Sequence, residues 1–243
     1  MHGRTDLTRR QLFYLSTASL VTVGFGIGYP ETRKIEVTHL DVNLGKKIAF
    51  LADFHINALG GLENDVVRLV NGEHPDIIML GGDTVDEYTL DMETASRCLS
   101  ALDAKQKFAV MGNHEHLSKR VEGLTKILDG LGFNVLFNSE TSSLAGKIYG
   151  LDWRDDRKYP QIDSEGIVLV HDPNAAESIS GRTIILSGHT HGGVEIAGIG
   201  FSNSLYTRGL FKLNEKTTLY VSRGVGQIFP WRPTSPLEIV LVE

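Results

Sequence analysis

The 243-residue chain has one cysteine, Cys98, so no intrachain disulfide can contribute to its stability. That cysteine falls in a stretch of helical periodicity, residues 92–102, and reads as a small buried hydrophobe rather than a nucleophile. The chain also lacks a basic excess: 24 Lys and Arg stand against 30 Asp and Glu, a formal net charge of −6. A broad nucleic-acid surface is ordinarily basic, so no nucleic-acid partner is expected. Internal repeats and low-complexity tracts are missing too, which excludes solenoids and long disordered arms. What remains is ordinary for a soluble globular domain, 41% hydrophobic and 22% charged, and long enough to bury a full core.

The first thirty residues depart from that pattern. Arg9 and Arg10 precede an uncharged stretch, residues 12–30, and charge returns at Glu31, Arg33 and Lys34. A basic start followed by a moderately apolar segment has the logic of an export signal, and the paired arginines resemble a twin-arginine signal. The stretch also approaches the ~20 residues that span a bilayer, so residues 1–30 are read as a signal or an N-terminal membrane anchor. The plainer alternative is a helix packed on the domain. Basic residues ahead of the segment favour a cytoplasmic N-terminus with residues 31–243, the globular domain, on the far side. Location is then membrane-associated or exported, with the cytoplasmic face as the alternative if the segment is not an export signal.

From residue 31 onward the pattern alternates. Strands are expected at 35–42, 47–52, 77–80 and 108–111, with helices at 62–71 and 91–102 and a third running from a Ser118 cap to Leu131. The second half is richer in strands, at 134–137, 148–151, 167–170, 183–186, 219–222 and 238–242, with a polar insertion at 153–161. The βαβ rhythm followed by a β-rich half predicts an α/β protein of two sheets packed face to face with helices outside. Ligands in such folds collect at the carboxyl ends of the strands.

Five strand ends carry the same kind of residue. Asp53-Phe54-His55, Gly82-Asp83, Gly112-Asn113-His114-Glu115, His171 and Gly188-His189-Thr190-His191 each follow a short apolar run. Singly these are weak: a lone Gly-Asp is a turn and a lone buried His is usually a satisfied core residue. Jointly, Asp53, His55, Asp83, Asn113, His171, His189 and His191 offer oxygen and imidazole nitrogen with no thiolate. That mixture suits Mn²⁺, Fe²⁺ or Zn²⁺, with manganese favoured, better than Ca²⁺. Seven ligands exceed the need of one ion, and two ions about 3.5–4 Å apart sharing Asp83 are the economical answer. His2, His74 and His116 fit no such position and are read as surface residues.

The order Asp-x-His, Gly-Asp-x-x-Asp, Gly-Asn-His-Glu, His, Gly-His-x-His resembles the calcineurin-like metallophosphoesterase superfamily. The resemblance implies its four-layer αββα sandwich of two mixed sheets and a metal-dependent phosphoric ester hydrolase, a phosphodiesterase or pyrophosphatase, whose nucleophile is a hydroxide between the ions. It implies Asp53, His55, Asp83 and His191 on one ion and Asp83, Asn113, His171 and His189 on the other. It makes His114 the general acid, paired with Asp86, and leaves Glu115 a supporting residue. Protein Ser/Thr phosphatases of the superfamily carry Asp-Arg-Gly where this chain has Asp86-Glu87-Tyr88, which disfavours a phosphoprotein substrate. The C-terminal stretch is similar to that of a compact bacterial, membrane-associated or exported subgroup, some of whose members resemble hydrolases of UDP-2,3-diacylglucosamine, a lipid A precursor. The expectation is a phosphodiesterase on bacterial envelope material, with Asn113 and Arg223 on the substrate phosphate and Phe229, Trp231 and Arg232 as an amphipathic rim. A pyrophosphatase acting on that nucleotide-lipid is the alternative. The remote reading, a metal-dependent binding scaffold, is disfavoured because every ligand position is filled. Nothing in the sequence indicates an oligomeric state.

Overall fold

The computed structural model describes residues 33–196, 199–228, 232 and 234–243. The expected signal or anchor therefore lies outside the described residues, as do Phe229 and Trp231 of the expected rim. Among the described residues no helix is long and apolar enough to cross a membrane.

Two six-stranded mixed sheets carry the fold. The first runs in the order β1 (Ile35–Leu40), β16 (Leu237–Val242), β2 (Ile48–Leu51), β3 (Ile77–Gly81), β4 (Gln106–Val110) and β5 (Phe133–Val135). Strands β2 to β5 are parallel, whereas β16 is antiparallel to β2 and parallel to β1. The second sheet runs β14 (Gly209–Lys212), β15 (Thr217–Val221), β11 (Thr183–Ser187), β9 (Gly166–Val170), β7 (Gly146–Leu151) and β6 (Ser139–Ser143), parallel in its four central members. Two small pairs complete the set: β8 (Ile162–Asp163) with β10 (Ile179–Ser180), and β12 (Val194–Ile196) with β13 (Ile199–Phe201).

Side-chain alternation along the strands divides the apolar residues into layers. Phe50, Met79, Phe108 and Val240 meet Ile148, Leu169, Leu186 and Tyr220 between the two sheets. The intervening residues, among them Leu51, Leu80 and Ala109, face helices α1 (Gly61–Gly72), α2 (Met92–Ser100) and α4 (Val121–Gly130). Those helices present Val66 and Val70, Cys98 and Leu99, and Leu124 and Leu128, one stripe each. Over the other sheet, Val168, Ile185 and Leu219 are covered by Tyr159, Ala175 and Ala176. The fourth layer is thus a 3-10 segment (Pro173–Ser178) and loops, with no α-helix among the described residues.

Two expectations shift. Ser118 does not begin a helix: it caps the end of the short helix α3 (Asn113–Leu117), its Oγ donating to the His114 carbonyl at 2.6 Å. The following helix starts afresh at Val121, because Lys119 takes a left-handed turn at φ 59°. Strands β6 and β14 were not expected either, since edge strands with one exposed face carry little apolar periodicity.

Candidate metal centre

Every residue of the expected ligand set lies just past a strand end. Asp53 and His55 follow β2, Asp83 follows β3, Asn113 follows β4, His171 follows β9, and His189 and His191 follow β11. The segments beyond β2 and β3 stay laced together, Asp53 N–H donating to the Gly82 carbonyl and His55 N–H to that of Asp83, both at 3.0 Å. Five of these residues have left-handed backbone: Asp53 (φ 51°), His55 (47°), Asp83 (51°), His189 (75°) and His191 (50°). For residues with a Cβ that conformation is costly, and it persists where the surroundings impose it, typically at functional sites. Gly112 makes close approach possible, since a Cβ there would lie 2.2 Å from Asp83 Oδ1.

The polar atoms converge in two groups. Asp53, His55 and His191 form one, and Asp83, His171 and His189 the other, each with its ligand atoms within 4.8 Å of one another. In the first, Nε2 of His55 is 3.3 Å from Nε2 of His191. In the second, Nδ1 of His189 is 3.2 Å from Nε2 of His171, which lies 3.1 Å from Asp83 Oδ2. Asn113 Oδ1 joins that second group, 3.1 Å from His171 and 2.8 Å from His189. Each pair joins a buried ring to a half-buried one, and imidazole nitrogens that face each other need a proton or a cation between their lone pairs. With carboxylates beside them and no sulfur, the donor set fits two divalent cations.

Partners behind the rings fix their tautomers. His55 Nδ1 lies 2.9 Å from Asp86 Oδ2, and His171 Nδ1 lies 2.9 Å from the Gly81 carbonyl, so each ring turns the lone pair of Nε2 into the site. Asp86 therefore does not pair with His114 as expected. Its Oδ1 accepts the Tyr88 N–H at 2.7 Å in a tight turn closed by Thr89, which swings the carboxylate inward onto His55. The neighbour Glu87 takes the other place, Oε2 at 2.8 Å from His114 Nδ1. Glu115 is fully buried and accepts the backbone N–H groups of Asp83, Thr84 and Val85, holding the Asp83 loop on three bonds, and that of Gly112 in its own segment.

Burial and charge set the protonation of the cluster. Burial opposes charge on His171, but the Asp83 carboxylate beside it prevails and pushes its pKa up to about 10. Asp83 is held well below the carboxylate range: burial works against its charge, and His171 and His55 override burial. His189 is lowered to about 3, by burial and then by the charge of His171. Burial likewise takes His191 well below its usual value, assisted by His55 and Arg232.

Other expectations fare differently. Arg223 does not face the cluster freely: its guanidinium bonds Glu36 at 2.9 Å and Glu238 at 3.0 Å, tying the segment after β15 to β1 and β16. Arg232 is no rim residue either. It is buried, and Nη2 bonds the Arg223 and Gly226 carbonyls and lies 2.9 Å from His191 Nδ1. His116 is half-buried rather than a surface residue, bonded to Asp152 at 3.0 Å. Sequence reasoning missed Glu87, Trp153 and Asn203. The Trp153 ring lies 5.2 Å from that of His189, and Asn203 Nδ2 lies 3.1 Å from His189 Nε2. Trp153 was visible as part of a polar insertion; Asn203 gave no signal, being a lone amide in a loop.

The calcineurin-like phosphoesterase family profile matches residues 46–193, the span that carries the cluster. Among curated relatives, the phosphodiesterase YaeI of Escherichia coli K12 is 29% identical, the alignment covering 96% of this chain and 98% of that protein. An uncharacterized metallophosphoesterase of Helicobacter pylori strain 26695 is 31% identical, over 98% of this chain and 72% of that protein. A zebrafish transmembrane protein with a metallophosphoesterase domain is 27% identical, and the chain spans 52% of its length.

Proposed function

The chain belongs to the calcineurin-like phosphoesterase family, and from that membership we propose that it is a phosphodiesterase that uses two divalent cations, manganese foremost, at or near a membrane. The observation that carries the reading is the meeting of Asp53, His55 and His191 with Asp83, His171 and His189 at the carboxyl ends of strands from both sheets. Preference for a diester is supported by the similarity to phosphodiesterase YaeI over nearly the whole of that protein.

In this reading Asp53, His55, Asp83 and His191 would hold one cation and Asp83, Asn113, His171 and His189 the other. Bound there, the pair supplies Lewis acidity toward phosphoryl oxygens and activates water for attack. His55 and His171 keep their ring orientation through Asp86 and the Gly81 carbonyl. Asn113 turns its carbonyl oxygen to the histidines, leaving its NH₂ for a phosphate oxygen. His114, backed by Glu87 on Nδ1, has Nε2 left to protonate the departing oxygen. Trp153 packs its ring against those of His171 and His189 and so walls the histidine side.

The test is hydrolysis of bis-p-nitrophenyl phosphate and p-nitrophenyl phosphate by the full chain, before and after chelation and manganese add-back. Diester turnover lost with chelator and restored by manganese is expected. Activity indifferent to chelation, or confined to the monoester, sinks the reading.

A further inference from the structure

Large apolar side chains are left exposed almost entirely at one end of the molecule. Leu59 follows β2, Leu90 lies between β3 and α2, Leu117 ends α3, Phe201 and Leu205 lie between β11 and β14, and Ile228 follows β15. All leave the sheets at the end that carries the metal cluster. Exposure is far from marginal, at 82% for Leu90, 71% for Leu205 and 69% for Leu117. Among the described exposed apolar residues, Leu144 alone sits at the opposite end, in the turn between β6 and β7. That opposite end exposes charge with little apolar surface, whereas the cluster end mixes its apolar side chains with charges such as Glu87, Arg154 and Asp156. Lys47 pairs with Glu73 and Glu243, Lys105 pairs with Asp76, and Glu165, Arg182 and Lys216 line a cleft of about 750 Å³.

The chain also enters the fold at the apolar end. β1 is parallel to β16, and β16 is antiparallel to β2, so Ile35 begins at the level where β2 finishes and the metal cluster lies. The uncharged residues 12–30 are joined to the domain by a few residues ahead of Ile35. Exposed apolar residues around a functional cleft mark an interaction surface, and an apolar leader attached at the same end says what kind.

We propose that the metal-bearing end docks on a lipid surface, with the apolar N-terminal segment in the same bilayer, so that the substrate is a phosphodiester presented in a lipid headgroup. The substrate half of this inference rests on the phosphodiesterase reading; the docking half does not. Docked in this way, Leu90, Leu117 and Leu205 enter the acyl boundary around the cluster and the charged end stays in water. A soluble diester then reaches the cations without help, whereas a lipid-borne one needs the docked orientation.

The experiment uses the full chain with L90C, L205C or L144C, labelled with an environment-sensitive fluorophore. Cys98 is buried, so labelling goes to the introduced thiol. Vesicles of phosphatidylethanolamine and phosphatidylglycerol, with and without a nitroxide-bearing lipid, are then added. Labels at positions 90 and 205 are expected to shift to the blue and to be quenched by the nitroxide, and the label at 144 to do neither. Quenching at 144 equal to that at 90 and 205, or at none of the three, overturns the proposal. A blue shift at 90 and 205 that follows protein concentration without vesicles assigns the face to a second copy of the chain and overturns it too. Bis-p-nitrophenyl phosphate turnover by the same proteins tests the functional reading separately. Turnover without quenching removes the docking, and with it the lipid-borne substrate, but leaves the phosphodiesterase reading; quenching without turnover removes the phosphodiesterase and the substrate half but leaves the docking.

Discussion

Nδ1 of His114 lies 2.8 Å from Oε2 of Glu87, a carboxylate one residue beyond the Asp86 that is committed to His55. Adjacent acids thus serve different imidazoles, one held behind a residue of the metal cluster and the other behind the proposed acid. His114 in turn holds the Glu87 carboxyl below its usual range.

If His114 delivers the proton, H114A keeps its metal and loses about 10²–10⁴-fold in diester turnover. E87Q, which removes the charge behind the ring, lowers kcat with KM and metal content unchanged. Elemental analysis beside steady-state kinetics checks both, and a fully active H114A refutes the assignment.

Asp86 acts through His55. D86N weakens the hold on Nδ1 and releases the tautomer, so metal affinity is expected to fall about 10–100-fold, read by competition with a chelator. Unaltered affinity would place Asp86 outside the metal's support.

Removing the Glu115 carboxylate leaves four buried N–H groups without an acceptor. E115A is expected to lose on the order of 3 kcal/mol of stability, since each orphaned donor costs about 1–3 kcal/mol and the loop relaxes in part. Urea unfolding of chelated protein isolates this from any loss of bound metal.

Metal uptake is expected to strengthen as pH rises. With His171 pushed up to about 10 by Asp83, a cation binding that ring must displace a proton through the neutral range. Calorimetry in buffers of different ionisation enthalpy should show proton release, and affinity should climb from pH 6 to pH 8. A flat affinity with no proton release contradicts this picture.

Arg223 offers a contrast. Its guanidinium is occupied by Glu36 and Glu238, so R223A is expected to lower the unfolding midpoint while leaving KM for the diester near its parent value. A large rise in KM with stability intact would return Arg223 to the substrate.

The sequence by itself determined which residues could hold metal and roughly where the strands run. Alternation and helical spacing are local properties, and Asp53, His55, Asp83, Asn113, His171, His189 and His191 each sit at the end of an apolar run that any strand reading finds. Only the tertiary structure decided who partners whom. Asp86 reaches His55 rather than His114 because a tight turn points it there, and Arg223 and Arg232 serve the frame because Glu36, Glu238 and the Gly226 carbonyl reach them from distant segments. The last strand, β16, lies between the first two for the same kind of reason. Periodicity records which face of a strand is buried, but the neighbour against which it is buried is set by packing across the whole chain.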